Sequence, residues 1–267
     1  MSASRAYDAI LGDERRSALR GAGLAAVIAS VCVASLAITG FFDAQRFIDS
    51  GPAISQLASE MIPPDFSRWR SWVRPLFDTL AMSIAGTALA VVFSLPLALL
   101  AAPNTSPHPL VYFAVRTLLA FLRSVPEIIL GVLFVAAVGF GALPGVLALG
   151  FHSVGMVGKF YAEAIEHVDP KPMEAARAAG ATPLQVIMHA VLPQVLPQLT
   201  DVTIYRWEYH FRASAVLGIV GAGGIGFELI AALRLLNYDQ VSAILLSILA
   251  CVVIVDSIGA HLRKSLK

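Results

Sequence analysis

The sequence has little charge and almost no cysteine. Only 14% of its 267 residues are charged, whereas an ordinary soluble domain has about 25%. The two cysteines, Cys32 and Cys251, both lie in apolar runs, where free cysteine behaves as a small buried residue. No spacing of cysteine and histidine is typical of a metal site, and the net charge of +1 gives no overall field that would attract nucleic acid. These shortages argue against an average soluble enzyme, a metal site and a nucleic-acid partner.

Hydrophobic residues are abundant instead, at 57% of the chain, with a mean hydropathy of +0.75. A bilayer-spanning helix needs about 20 apolar residues, so the composition predicts an all-α integral membrane protein with six transmembrane helices surrounded by lipid. The predicted spans are Ala22 to Phe42, Leu76 to Ala102, Leu110 to Gly139 with a kink at Pro126, Val146 to His167, a fifth span after residue 194, and Val241 to Ala260.

Two of these spans have alternative interpretations. The first run would also suit a secretory signal, with Ser35-Leu36-Ala37 as a cleavage site. For the fifth span, hydropathy alone selects Ala213 to Leu233, whereas a helix that begins near Leu196 carries several ionisable residues at membrane depth.

Basic residues predict the orientation of the spans. Cytoplasmic loops carry an excess of lysine and arginine, and four arginines precede the first span while three basic residues follow the last one. Six spans return the chain to its starting side, so both termini are predicted to be cytoplasmic. We divide the chain into residues 1–75, with the N-terminal tail, the first span and a periplasmic segment, and a core of residues 76–267, whose polar segment 169–194 is cytoplasmic.

The polar segment between the fourth and fifth spans has clear helix signals. Asp169-Pro170 is typical of a helix start, with an N-cap side chain and proline at the first helical position. Glu174 then falls near the positive end of the helix dipole, and Gly180 is suited to end the helix in a left-handed conformation. The small side chains between them, Ala175 and Ala176, would let another protein's groove fit closely around the helix.

This segment resembles the EAA loop, by which the membrane subunits of ABC importers dock onto their ATPase. The pattern is Glu-Ala-Ala, three residues, Gly, nine residues, Ile, one residue, Leu-Pro. The sequence departs from it at one position, where Ala190 replaces the usual isoleucine and weakens an apolar contact. The matching residues are Glu174, Ala175, Ala176, Gly180, Leu192 and Pro193.

Roughly residues 50 to 267 resemble the phosphonate-type ABC permeases, a family that also includes importers of phosphite and hypophosphite. Four stretches carry this resemblance: residues 61–66, 123–127, 205–208 and 218–226. The resemblance implies a type I importer fold in the bacterial inner membrane. It also implies a permease homodimer, two ATPase subunits that bind ATP and Mg²⁺, a periplasmic binding protein and a small phosphorus oxyanion as substrate. It favours the longer fifth helix that begins near Leu196, which we adopt.

A glycine-rich stretch also matches the dinucleotide fingerprint G-x-G-x-x-G. That motif requires a preceding strand and a βαβ unit, whereas this one lies in an apolar membrane run. Because irregular backbone at membrane depth is tolerated where it faces protein or a cavity, we expect the stretch near the periplasmic gate. No G-x-x-x-x-G-K-[ST] sequence occurs, so the chain is predicted to bind no cofactor, and ATP is expected on another chain. The expected gate glycines are Gly221, Gly223, Gly224 and Gly226.

Ionisable residues at membrane depth are costly and need a partner or a function. Three pairs lie four residues apart, the spacing at which side chains meet on a helix: Arg123 with Glu127, Lys159 with Glu163, and Glu208 with Arg212. Self-neutralisation is the simplest role for each pair. We also expect His152 to bond a neighbouring carbonyl rather than a ligand.

The fifth helix is polar on two faces, and at least one of them should face the dimer axis or a water-filled path. Partly neutralised arginines suit a path for a small anion, since conduction requires release. Helix bracing remains an equal alternative for these residues. The predicted path residues are Arg206, Glu208, His210, Arg212, Ser214, Arg123 and Glu127.

Two other functional classes fit the sequence less well. A secondary transporter driven by protons would use the intramembrane carboxylates, but such proteins often have inverted repeats, and we find no convincing repeat. A membrane-embedded enzyme would need a nucleophile with a base or a metal, and the sequence shows no such constellation, so the predicted role is transport without covalent chemistry. The carboxylates of the secondary-transporter alternative are Glu127, Glu163, Glu208 and Asp256.

Overall fold

The computed structural model describes residues 3–265, with side chains from Glu14 onward. Contacts divide the chain between Ser59 and Glu60 into two units. The first unit holds α1 (Ala3–Ile38) and most of α2 (Ala44–Glu60). Within the described part of the chain every regular element is helical. The second unit consists of α3 (Trp69–Ala101), α4 (Pro109–Ser124), α5 (Glu127–Val138), α6 (Ala142–Glu166), α7 (Pro170–Ala178), α8 (Pro183–Val186), α9 (Leu192–Leu217), α10 (Ile225–Arg234) and α11 (Tyr238–Ser265).

Six membrane spans are consistent with these helices. Four are long and apolar enough by themselves: residues 14–38 of α1, and α3, α6 and α11. Two further spans arise if each of two bent pairs counts as one: α4 with α5, and the segment Pro183–Ala222 with α10. The helices extend past the predicted spans at several ends, as at Trp69, because hydropathy detects only the lipid-immersed part of a helix that continues into water.

The predicted third span, from Leu110 to Gly139, is sharply bent at Pro126. The axes of α4 and α5 differ by 83°, so the predicted kink at Pro126 is confirmed, and it is a break between two helices. Proline forces the preceding residue out of the helical region, and both Val125 and Pro126 have extended ψ angles, of 120° and 136°. The Val125 carbonyl is left without a helical donor and instead bonds His152 Nδ1 at 3.0 Å, which confirms the carbonyl-bonding prediction for this histidine.

Helix α6 packs closely against α3 through glycines. A Cβ atom on Gly86 would lie 2.9 Å from Leu149 Cβ, and one on Gly145 would lie 2.6 Å from Met82 Sδ. Small residues let membrane helices approach closely, and van der Waals packing then holds them together. Helix α6 therefore lies in the middle of the second unit, where it also contacts α4, α5 and α9.

A short loop connects the start of α3 to α11. The backbone N–H of Asp65 donates to the Asp239 carbonyl at 3.0 Å. The backbone N–H and the hydroxyl of Ser67 both donate to the Asp65 carboxylate, at 2.8 Å each, and hold the pKa of Asp65 below its ordinary value. The loop is thus fixed by hydrogen bonds, and Phe66 also packs edge-on against the buried Trp72.

Candidate functional site

The segment 169–194 folds as the short helix α7, followed by α8, which continues through a π-helical turn at Ile187–Val191 into α9. Asp169 caps α7 by accepting the backbone N–H of Lys171 at 3.0 Å, as the N-cap prediction requires. At the other end Gly180 has φ +84°, and the bonds from Gly180 N–H to Arg177 O and from Ala181 N–H to Ala176 O form a Schellman motif. The predicted helix, its cap and its left-handed stop are therefore confirmed.

A glutamine ties this segment to the long helix α9. Gln194 Oε1 accepts the backbone N–H of Asp169 at 3.0 Å, and Gln194 Nε2 donates to the Ala190 carbonyl at 2.5 Å and to the Asp169 carbonyl at 3.4 Å. Met173 is the buried anchor of α7, whereas Glu174 and Ala175 are exposed. The outer surface of α7 is thus free in this chain, and any displacement of α7 would act on the start of α9.

The fifth helix carries the predicted ionisable residues within one continuous element, α9. The helix of which α9 is part begins at Pro183, upstream of the predicted start near Leu196, and passes through the π-helical turn at Ile187–Val191. Arg206, Glu208 and His210 are all buried, with 5%, 7% and 0% of their surface exposed. Arg212 is about half exposed, with its side chain at 45%. Helix α9 has both of the predicted polar faces. The residues of each face bond to different neighbouring helices.

Residues on one face of α9 belong to a network of polar contacts that joins α9 to α3, α5 and α6. Arg206 Nε donates to Ser153 Oγ of α6 at 2.8 Å, and Ser153 lies 2.6 Å from His210 Nε2. His210 Nδ1 lies 2.7 Å from Thr87 Oγ1 of α3, whose hydroxyl donates to the Ser83 carbonyl at 2.7 Å. This network of hydrogen bonds therefore links α9 to the buried interface between α3 and α6.

The directions of these bonds define the form of His210. Ser153 Oγ accepts from Arg206, so its single proton is available for His210 Nε2. Thr87 already donates to a carbonyl, so its oxygen accepts the proton of His210 Nδ1. The neutral Nδ1–H tautomer satisfies His210, Ser153 and Thr87 together. This assignment follows from the network of bonds.

On the other side of Arg206 the polar network extends towards α5. Its guanidinium carbon lies 4.2 Å from the centre of the Tyr209 ring, a cation–π contact. The Tyr209 hydroxyl donates to Glu127 Oε1 at 2.7 Å. Arg206 is thus placed between a carboxylate-bonded tyrosine and the Ser153–His210 pair, without a direct ion pair within the described residues.

Only one of the three predicted four-apart ion pairs forms. Lys159 and Glu163 meet at 3.3 Å, as expected. Arg123 and Glu127 do not pair, because the break at Pro126 separates the helices that carry them, and Glu127 bonds Tyr209 instead.

The predicted Glu208–Arg212 pair was also wrong, because α11 offers each residue a partner. Glu208 lies 2.8 Å from Arg263, and Arg212 donates to Asp256 at 3.0 Å. These two ion pairs hold α9 against α11. Sequence reasoning assigned Arg263 to the cytoplasmic tail, and no local spacing indicated either pair, since the partners lie more than 40 positions away along the chain.

Ser214 contacts neither arginine of α9. Its hydroxyl bonds the Phe211 carbonyl at 2.8 Å and the Thr79 carbonyl of α3 at 3.2 Å, and the side chain is fully buried. Thr79 also accepts the backbone N–H of Ile225 at 2.9 Å. These bonds join the glycine-rich stretch to α3.

The glycine-rich stretch is the bend between α9 and α10. Three of its glycines have positive φ, at +101°, +75° and +69° for Gly221, Gly223 and Gly224. Gly226 is required for a different reason, because a Cβ there would collide with the Ala215 carbonyl. The irregular backbone, flanked by helices without a strand, agrees with the rejection of a dinucleotide site.

Thr87, Ser153, Tyr209 and Gln194 were not predicted from the sequence. Ser153 and Thr87 lie in apolar helices, where a small hydroxyl that bonds its own helix looks the same as one that bonds a buried histidine. Tyr209 lies beside the charged residues of α9, but it is neutral, so a search for charged residues at membrane depth does not select it. Only contacts between helices reveal these four residues.

The apolar helices define an integral membrane protein, and comparison with known proteins shows the family. Residues 94–267 match the family described as binding-protein-dependent transport system inner membrane component. The chain belongs to this family. It is therefore an inner-membrane transport component and not an enzyme.

Among its relatives, the chain is 60% identical to the phosphite transport system permease protein PtxC of Stutzerimonas stutzeri, over the full length of both chains. It is 40% identical to the putative phosphite transport system permease protein HtxC of the same organism, over 88% of this chain and 84% of the relative. These matches confirm the resemblance to phosphonate-type permeases.

Solved structures support the fold. The chain matches an inward-facing MetNI methionine ABC transporter with a TM-score of 0.66 and 24% identity, over 73% of this chain and 96% of that chain. It matches an amino acid ABC transporter crystallised with histidines with a TM-score of 0.61 and 17% identity, over 76% and 100% of the two chains. The all-α type I importer fold is confirmed.

Proposed function

We propose that this chain is the permease subunit of an ATP-driven importer for a small phosphorus oxyanion, with phosphite as the first candidate. The observation that carries the proposal is the 60% identity to a phosphite transport permease over the full length of both chains. Phosphonate and hypophosphite are the other candidates, because relatives in the same group include phosphonate permeases. The binding protein supplies most of the selectivity among these anions.

The assembled transporter contains two copies of this chain, two ATPase subunits and a periplasmic binding protein. ATP and Mg²⁺ bind the ATPase subunits, and this chain holds no cofactor. Both termini and the segment 169–194 lie on the cytoplasmic side, so the exposed surface of α7 docks onto the ATPase. The docking residues are Asp169, Glu174, Ala175, Ala176 and Gly180.

ATP binding closes the ATPase subunits and displaces α7. Because Gln194 bonds the start of α7 to α9, the displacement acts on the helix that carries the buried ionisable residues. Arg206, with one buried nitrogen that has no hydrogen-bond partner, and the half-exposed Arg212 are the cations of the path. The glycine bend between α9 and α10 forms the periplasmic gate.

The remaining predicted path residues have supporting roles. Glu127, which bonds Tyr209 beside Arg206, and Asp256, which pairs with Arg212, lower the net positive charge near these arginines, so that the anion is not trapped. Glu208 pairs with Arg263 and holds α9 against α11. His210 fixes Arg206 through Ser153. Ser214 fixes the gate end of α9 against α3, and Arg123 lies in a basic pocket between α4 and α6.

The test is transport into proteoliposomes that contain the permease, its ATPase and its binding protein. Phosphite dehydrogenase and NAD⁺ are enclosed in the lumen, so that each imported phosphite yields one NADH. We expect NADH formation that requires ATP enclosed in the lumen, on the side of the ATPase subunits, and the binding protein outside. Competition by methylphosphonate, hypophosphite or phosphate then ranks the substrates. If none of these anions is imported or stimulates ATP hydrolysis, the proposed substrate class is wrong.

A further inference from the structure

A basic pocket lies between α4 and α6, near the end of α3. Three cationic side chains line it, Arg116 and Arg123 from α4 and Lys159 from α6, together with three alanines and a leucine. Its volume is about 170 Å³, which corresponds to roughly five water molecules at about 30 Å³ each. A tetrahedral phosphorus oxyanion group fits in this space.

The charges around this pocket do not balance. Arg116 is paired with Glu166 at 3.0 Å, and Lys159 is paired with Glu163 at 3.3 Å. Arg123 has no ion pair within residues 14–265, and the carboxylate expected to neutralise it, Glu127, bonds Tyr209 beyond the break at Pro126. The pocket therefore keeps one uncompensated positive charge among three cations.

The packing of α4 on α6 fixes Arg123 in this position. A Cβ atom on Gly155 would lie 2.6 Å from the Leu119 carbonyl oxygen and 2.7 Å from the backbone nitrogen of Arg123. One on Gly158 would lie 2.7 Å from Leu119 Cδ2. Because the two backbones are in direct contact, α4 cannot move Arg123 away from Lys159 without losing this packing.

The pocket lies at the level of a membrane surface. Glu166, the last residue of α6, pairs with Arg116, and α7 begins four residues later. Arg123 and Lys159 are each seven residues deeper, about 10 Å along a helix. With the segment 169–194 on the cytoplasmic side, as proposed above, the pocket is at the depth of the inner-leaflet headgroups, where basic pockets between membrane helices bind anionic lipids.

We propose that this pocket binds a phosphorus oxyanion group through Arg123, assisted by Arg116 and Lys159. The group has two possible sources with the same chemistry: the phosphate of an anionic lipid in the cytoplasmic leaflet, or a free inorganic anion. In either case the anion supplies the negative charge that the chain does not. It also ties the α4–α6 contact to the composition of the membrane or of the cytoplasm.

The test is binding to the purified transporter after delipidation in neutral detergent. One arm titrates phosphatidylglycerol, with phosphatidylcholine as the neutral control, and records bound lipid by native mass spectrometry. The other arm titrates inorganic phosphate and phosphite, with chloride at equal ionic strength, and records the thermal midpoint. Both arms compare the wild type with Arg123→Gln, Arg123→Lys and Arg234→Gln. Arg234 is an exposed arginine in the last turn of α10 and serves as the matched control.

We expect one of the anions to bind the wild type, Arg123→Lys and Arg234→Gln similarly, and to bind Arg123→Gln about fivefold more weakly, as expected for one lost surface cation. Binding in the first arm identifies the lipid as the source, and binding in the second arm alone identifies the free anion. Equal binding to the wild type and Arg123→Gln, or no binding in either arm, would overturn the proposal. The readout is binding rather than transport, so it is independent of the substrate of the importer.

Discussion

Gly259 of α11 leaves the space that the side chain of Glu208 fills. A Cβ atom at this position would overlap Glu208 Oε1 and lie 2.9 Å from its Cδ. Glu208 is 7% exposed and forms its ion pair with Arg263 from this position. The α9–α11 contact therefore depends on the absence of one side chain, which the composition of α11 alone does not indicate.

We expect Gly259→Ala to push Glu208 away from Arg263 and lower the thermal midpoint of the detergent-solubilised protein. Overpacking of this kind costs about 1–3 kcal/mol. Gly23→Ala is the control, since a Cβ there meets nothing within 4 Å. In a Glu208→Ala background the same change at Gly259 should cost much less. An equal cost in both backgrounds would show that Glu208 is not the residue displaced.

The bond between Thr87 and His210 gives a second prediction. Thr87→Val keeps the shape of the side chain but leaves the buried Nδ1–H of His210 without an acceptor. An unsatisfied buried donor costs about 1–3 kcal/mol, so we expect a lower thermal midpoint and slower uptake. Thr117→Val is the matched control, because that exposed hydroxyl bonds only the Phe113 carbonyl of its own helix. Similar losses of thermal midpoint and uptake in the two variants would argue against the hydrogen bond between Thr87 and His210.

At the residue scale, the four-apart spacing predicts an ion pair correctly where the helix is continuous and no other helix offers either residue a closer partner. The four-apart rule holds for Lys159 and Glu163, which lie within one unbroken turn of α6. It fails for Arg123 and Glu127, where proline changes the direction of the chain, and for Glu208, where a partner on α11 lies closer than the one on its own helix. Spacing along a helix contains no information about a neighbouring helix.

At the scale of elements, the segment 169–194 was predictable because its signals are local. An N-cap aspartate, an N1 proline and a C′ glycine each act within a few residues, and all three occur where expected. The 83° bend between α4 and α5 was only partly indicated, by Pro126. A proline marks where a helix is interrupted, but the angle depends on how α5 packs against α6.

Gly180 tests the proposed role of this segment. Its φ of +84° strains any residue with a Cβ, although a side chain there would project into open space. We expect Gly180→Leu to keep ATP hydrolysis by the assembled complex but to lose most uptake, because the shape of the docking surface changes. Gly180→Asn should retain uptake, since asparagine tolerates this conformation. The assay measures hydrolysis and import on the same proteoliposomes, and normal coupling in Gly180→Leu would contradict the docking role.

At the scale of the whole molecule, charge is scarce but organised. The net charge is +1, yet basic residues collect in both tails, at the pocket between α4 and α6, and along α9. Carboxylates on α6, α9 and α11 pair with Arg116, Lys159, Arg212 and Arg263. Arg123 and Arg206, which lie within the helix bundle and form no ion pair in the described residues, are the cations left to interact with an anion.

The orientation of the chain in the membrane gives the last prediction. The excess of basic residues before the first span, in the segment 169–194 and after the last span predicts that these regions are cytoplasmic. The measurement uses single cysteines in a background where Cys32 and Cys251 are replaced by serine, labelled with a membrane-impermeant maleimide. Arg70→Cys should react in intact spheroplasts. Arg177→Cys and Ser265→Cys should react only after lysis, and labelling of either before lysis would invert the topology. It would also move the basic pocket to the outer leaflet.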